Sequence, residues 1–257
     1  MQPVDSARFA RALDRQLERV VQILDEARTR CTFFVLAKTA ERSPHWIKRL
    51  SAAGHEIASH GYGHERLSTL TPHLFRDDLR RSLDVLAALT GARPRGYRAP
   101  YLSLGRREVS WAYDVMLEEG IAWSSSVLPF AARGGIGDHA LGAVRVARPS
   151  GSLVEVPVSV VELAGRRIPI AGGGFWRATP APLIDAGLRR LAHEGRAAVV
   201  YLHPHEFDDE PLRSHRGRRR NAYVNLGRAS IADKLRRALR AFSFGPMGEL
   251  VAQSVGR

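Results

Sequence analysis

The chain has 257 residues, 39 basic against 26 acidic, a formal net charge of +13 and one cysteine. Cys31 alone excludes a disulfide framework, 44% hydrophobic residues exclude a disordered or fibrous chain, and no run approaches the ~18 apolar residues of a membrane span. A chain of this length buries roughly 70–75% of its surface on folding, enough for a core without staples. In chain order, Phe9, Leu13, Leu17, Val20, Val21 and Leu24 recur at helical steps and predict an amphipathic helix over 7–28. Thr32 to Leu36 reads as a buried strand. Ser43-Pro44 opens a second helix, with Ser43 as N-cap, that runs to Gly54. Glu56 to Ser59 is a short strand. Thr71-Pro72 starts a long helix that ends at Gly91, and Gly96-Tyr97-Arg98 is a strand stopped by Pro100.

A helix over roughly 106–119 leads into a strand from Ile121 to Val127. Residues 131–150 read as a loop, and Leu153 to Val161 as an alternating strand. A helix over 181–194, a buried strand from Ala197 to Leu202, a polar loop over 205–229 and a helix over 231–242 complete the pattern. Strand and helix alternate every 25–40 residues. That rhythm predicts parallel strands with helical crossovers, an α/β sheet or barrel, and no linker long enough to split it interrupts a single domain of 1–257.

Three short stretches carry chemistry. His60-Gly61-Tyr62-Gly63-His64 follows a predicted strand, and two histidines four apart can share a metal ion. Arg98-Ala99-Pro100-Tyr101 ends the next strand, where a fixed arginine suits holding a carboxylate. His203 precedes Pro204 at the end of the strand Val199 to Leu202, a position suited to general acid–base work. Each has a plain alternative: surface histidines, a surface ion pair, a solvated imidazole. The order of all three, each at a strand's carboxyl end, is what gives them weight.

This series resembles the NodB-type polysaccharide deacetylases, the family-four carbohydrate esterases, and within them the branch of exopolysaccharide loci with a C-terminal extension, which the resemblance places here at 205–257. The matching stretches are Thr32 to Leu36, Gly54 to Gly61, Arg95 to Pro100, Ala171 to Gly174, Tyr201 to Pro204 and Phe244 to Met247. The resemblance implies a distorted (β/α) barrel of about seven strands, with its first strand lacking or truncated here. It implies a divalent metal, usually zinc, and removal of N-acetyl groups from amino sugars of a polysaccharide. By position, His60 and His64 would be metal ligands and Arg98 would hold the base aspartate. The backbone N–H of Tyr101 would stabilise the oxyanion, Leu202 would line the acetyl pocket, and His203 would protonate the leaving amine.

Two departures accompany the resemblance. The family opens with a strand carrying paired aspartates, whereas here Asp5 is the one candidate base or ligand. The family also often has an aspartate supporting the catalytic histidine where this chain has Ser124. A true start further upstream, a catalytically impaired glycan-binding protein on the same barrel, and a site served by Asp5 alone all remain open. An open barrel edge would allow chains to associate. The N-terminus shows no basic and apolar leader, so a cytoplasmic location is expected unless the natural start lies elsewhere. Lysines occur only at 38, 48 and 234, and the other 36 basic residues are arginines, densest from Arg213 to Arg220. That bias reads as GC-rich coding rather than an anionic partner. The cluster lacks the interleaved aromatics of a single-strand platform, so no nucleic-acid partner is expected.

Overall fold

A computed structural model describes residues 6–105, 108–129, 141–170, 172–212 and 217–255. The fold comprises two compact units. Arg30–Ile168 forms one together with the chain from Gly245 onward, and the chain up to Thr29 forms the other together with Pro169–Phe244. The second unit begins with α1 (Ser6–Glu26), whose buried stripe includes Leu17, Val21, Ile23 and Leu24.

The first unit is built on β1 (Thr32–Val35), β2 (Glu56–Ser59), β3 (Gly96–Tyr97), β4 (Trp123–Ser124), β5 (Val144–Arg148) and β6 (Gly151–Glu155). Their order is β1-β2-β3-β4-β6-β5, parallel throughout except for the β5–β6 hairpin. Among the described residues no pairing joins β5 back to β1. α2 (Ala37–Arg42), α3 (Pro44–Ala52), α4 (Pro72–Thr90) and α5 (Val109–Glu118) connect the strands. On α4, Thr71 caps the start by accepting from Leu74 N, and Gly91 ends it at φ 78°, a left-handed conformation that costs glycine little. Its fully buried Phe75, Leu79 and Leu83 pack with Tyr97, Tyr113, Met116, Ile121 and Leu153 into the main core. Burying each of these side chains is worth about 1.5–3 kcal/mol. Gly96 is required by that core: a Cβ there would lie 2.0 Å from the Trp123 indole. β7 (Val160–Leu163) and β8 (Arg166–Pro169) form a separate two-stranded sheet.

The second unit continues with α6 (Gly174–Ala178), α7 (Ala181–His193), α8 (Arg218–Asn225) and α9 (Ile231–Ala241). Its core gathers Ile23, Trp176, Ile184, Leu188, Phe207 and Ile231. α10 (Met247–Val255) returns to the first unit, where Met247 N donates to Thr32 Oγ1 and Gly248 N to Glu56 Oε2. Thr32 and Glu56 thus each satisfy one orphan donor at the start of α10.

Several expectations are corrected. The strand at 121–127 pairs only at Trp123–Ser124, and that at 153–161 divides into β6 and β7. Val144–Arg148, inside the expected loop at 131–150, is a strand because its alternation lets it pair with β6. Among the described residues the apolar run 197–202 forms no strand: Tyr201 bridges Gly172, and a Cβ on that glycine would fall 1.9 Å from Tyr201 O. The expected polar loop at 205–229 contains α8 and two 3₁₀ turns, Pro204–Phe207 and Arg228–Ser230. Pro44 does open α3, but the Ser43 side chain makes no capping bond.

Candidate active site

In the first unit, the chain leaving the parallel strands β2, β3 and β4 carries the site residues on one sheet edge, where connecting loops converge. His60 follows β2, and its Nδ1 lies 2.8 Å from Arg98 O. A carbonyl only accepts, so Nδ1 holds the proton and Nε2 carries the lone pair. The His60 and His64 rings have centroids 5.2 Å apart, and His64 lies 4.6 Å from the Tyr101 ring. The loop between the histidines is fixed from α4 by Asp78, whose carboxylate accepts from Tyr62 N and Gly63 N, both at 2.8 Å. A Cβ on Gly61, at φ 78°, would come within 2.7 Å of the same carboxylate. His64, Tyr101 and Leu102 have φ values of 63°, 60° and 51°, and such backbone strain is held only where the surroundings over-determine it.

Arg98 is 7% exposed. Its Nε donates to Ser125 O at 2.8 Å and its Nη2 to Ser125 Oγ at 2.6 Å, while the guanidinium lies 4.0 Å over Phe34 and Nη2 is 3.8 Å from Met247 Sδ. Ser126 Oγ accepts from Ala99 N and from Ser124 Oγ, both at 2.8 Å. Behind these serines sits Glu155, 1% exposed and in register with Ser124 across β4–β6. Its Oε1 accepts from Ser126 N at 2.7 Å and Val127 N at 3.0 Å, and Oε2 from Tyr113 Oη at 3.3 Å. Burial pushes its carboxyl above the usual range, only partly offset by bonds from Ser124, Ser126, Val127 and Tyr113. A carboxylate in place of Ser124 would lie in register with Glu155 across β4–β6, and two like charges so placed disfavour each other's ionisation.

Sequence reasoning missed Glu155 and Asp78. The acid inside the apolar run Leu153-Val154-Glu155-Val156 was the readable signal for the first. Asp78 is one polar residue on an amphipathic helix and gave none.

Glu155→Gln should keep both backbone bonds and fold normally. Glu155→Ala should cost about 1–3 kcal/mol for the buried donors it strands. A carboxyl raised in the folded state loses stability as pH rises above the unfolded value of 4.5. Melting curves should therefore show Glu155→Gln gaining on the natural chain from pH 4.5 upward; equal curves at all pH values would refute the buried ionisation.

Leu202 and His203 belong to the second unit. Leu202 is half-buried and packs against the Trp176–Phe207–Ile231 core. His203 begins the 3₁₀ turn Pro204–Phe207. Its backbone N–H donates to Glu206 Oε2 at 2.9 Å, and its Nδ1 is 3.3 Å from the same oxygen. Arg177 Nε, on α6, is 3.1 Å from Glu206 Oε1, an ion pair without hydrogen-bond alignment. Burial works to raise the Glu206 carboxyl, but the bonds and charge of His203 outweigh it and hold it below the usual range. Arg228 fastens the segment, donating to His205 O, Asp208 O and Glu210 O. The His205 ring stacks on His203 at 5.2 Å.

Burial and the neighbouring His203 push the His205 imidazole down to about 4. A neutral, buried histidine stabilises fully above 6.5, and that stability is lost as pH falls from 6.5 toward 4. His205→Phe should accordingly flatten the decline in melting temperature between pH 6.5 and 4; an unchanged slope would place the acid sensitivity elsewhere.

His60, His64, Arg98 and Tyr101 thus come together in one unit, while Leu202 and His203 lie in the other. His60 and His64 offer two imidazole donors suited to zinc. Asp5 lies outside the described residues, as do Arg213 and Arg216 of the arginine cluster. Among the described residues, the group of three or more His, Cys, Asp or Glu donors close enough to share an ion is His203, His205 and Glu206, all within 4.8 Å. The Arg177 guanidinium already compensates that carboxylate and opposes a dication there. Among the described residues no helix is long and apolar enough to cross a membrane.

Two family models match the chain: Polysaccharide deacetylase over residues 10–115, and Domain of unknown function (DUF3473) over 125–252. A peptidoglycan-N-acetylglucosamine deacetylase of Bacillus cereus is 30% identical over 117 residues, 44% of this chain and 42% of that protein. A chitooligosaccharide deacetylase of a Bradyrhizobium species is 33% identical over 109 residues, 42% of this chain and 47% of its own. The chain spans less than half the length of either relative. A crystal structure assigned as a polysaccharide deacetylase from Mycobacterium smegmatis superposes with a TM-score of 0.68 at 24% identity, over 95% of this chain and 78% of that one, and shares its fold.

Proposed function

We propose that the chain, whose residues 10–115 match the polysaccharide deacetylase family model, is a member of that family and hydrolyses N-acetyl groups from the amino sugars of a glycan, an exopolysaccharide being the substrate the sequence motifs favour. The observation that carries this reading is the pair His60 and His64 beside the Arg98 carbonyl on one sheet edge, with the His60 proton fixed on Nδ1. His60 and His64 would hold a divalent metal, zinc by the softness of imidazole donors. Such an ion, when bound, supplies Lewis acidity toward the acyl oxygen and a more acidic water.

The other roles fall to the chain itself. Arg98, buried and clamped by Ser125, orients the base carboxylate that takes a proton from the attacking water, a role for which Asp5 is the candidate. The backbone N–H of Tyr101, on a turn held at positive φ, stabilises the developing oxyanion. Leu202 lines the acetyl pocket. As the water oxygen bonds to the acyl carbon and the C–N bond breaks, His203 delivers a proton to the departing amine. Acetate release from N-acetylglucosamine oligomers, with and without added zinc, tests the reading. Zinc-dependent release supports it. Oligomer binding without release would favour the glycan-binding alternative.

A further inference from the structure

We propose that Glu206 is the positioning carboxylate for His203, fixing its ring so that Nε2 is the atom that transfers the proton. The proposal rests on the reading of His203 as proton donor. It moves to position 206 a support that the family resemblance places at 124, where this chain has serine.

The geometry is local. In a 3₁₀ turn, side chains three apart eclipse, so Glu206 returns directly over His203. Pro204 at the first position of the turn presets its backbone. Oε2 receives both the backbone N–H and the Nδ1 side of His203, while Oε1 faces Arg177. The Glu206 side chain is 1% exposed and that of His203 51%, so the carboxylate is sheltered while the imidazole reaches solvent. His205, Asp208, Asp209, Glu210, Arg177, Arg228, Arg15 and Arg19 on α1, and Lys234 on α9 are the charged or titratable groups around this turn. Arg15 and Arg19 pair with Asp208, Asp209 and Glu210, which leaves Arg177 directly against Glu206 and keeps that carboxylate ionised. An ionised acceptor cannot donate, so the Nδ1 proton belongs to the histidine, and the proton exchanged with substrate sits on the opposite nitrogen.

The test uses the full chain with Glu206→Gln and Glu206→Asp. Glutamine keeps an acceptor for the His203 backbone N–H and removes the charge. Ring-nitrogen spectra should show His203 as the Nδ1–H tautomer in the natural chain, a mixture in Glu206→Gln, and recovery in Glu206→Asp. Acetate release should fall roughly 10- to 100-fold in kcat in Glu206→Gln with KM little changed, and the alkaline limb of the pH–rate profile should move to lower pH. An unchanged tautomer and pH limb in Glu206→Gln would overturn the proposal. Zinc-dependent loss of the His203 and His205 ring-proton signals in a chain lacking His60 and His64 would overturn it too, by making the trio a metal site. A natural chain that releases no acetate would sink the deacetylase reading, while the ring spectra would still decide whether Glu206 holds His203.

Discussion

His203→Ala is expected to lower kcat for acetate release by roughly 10²–10⁴-fold while leaving zinc stoichiometry unchanged. The amine of an amide is a poor leaving group until protonated, and a positioned imidazole supplies that proton. Truncation removes the donor but leaves Glu206 paired with Arg177 and still accepting the backbone N–H at 203. The turn should therefore persist, and its melting temperature with it. Kinetics and metal analysis on one preparation would separate the outcomes. Loss of zinc in this variant would reassign His203 as a ligand, and undiminished release would remove it from the reaction.

His64→Ala is expected to weaken zinc binding by well over the roughly 100-fold that loss of an outer partner costs, and to abolish zinc-dependent release. One imidazole left at 60 cannot replace two donors. His60→Ala should do the same and also free the Arg98 carbonyl, so it should additionally lower the melting temperature. Titration with a zinc-competing indicator measures the first effect. Unchanged affinity in His64→Ala would count against the pair as ligands. Asp78→Ala, which removes the anchor of the intervening loop, should weaken the metal less than either histidine variant does.

How much of this could be read from the chain follows from the range of the forces involved. Helices close their hydrogen bonds within a few residues, so apolar periodicity and caps marked α1, α4, α7 and α9 to within about two residues at each end. Strands exist only against neighbours. β3 and β4 pair over two residues each, and among the described residues the apolar run at 197–202 shows a strand bridge at Tyr201. Nothing local distinguishes such a run from a strand. The densely basic α8 hid its helix in the same way, because polarity alone resembles a loop.

The same division runs through the site. His60, His64, Arg98, Tyr101 and His203 stand in contiguous motifs, and their family pattern is written along the chain. Glu206 was within reach of the same reading, since it sits three residues from His203 behind a proline. Glu155 left a signal as an acid inside an apolar run, whereas Asp78, Arg177 and Arg228 left none. The backbone donors that Asp78 fixes, the Glu206 carboxylate beside Arg177 and the carbonyls of 205, 208 and 210 that hold Arg228 lie 15 to 29 positions away, and an ionisable residue reads identically whether solvated or buried. The sequence specified which groups could do chemistry and where helices start and stop. Burial decided which acids support them, because the cost of an unpaired charge exists only once water has been excluded.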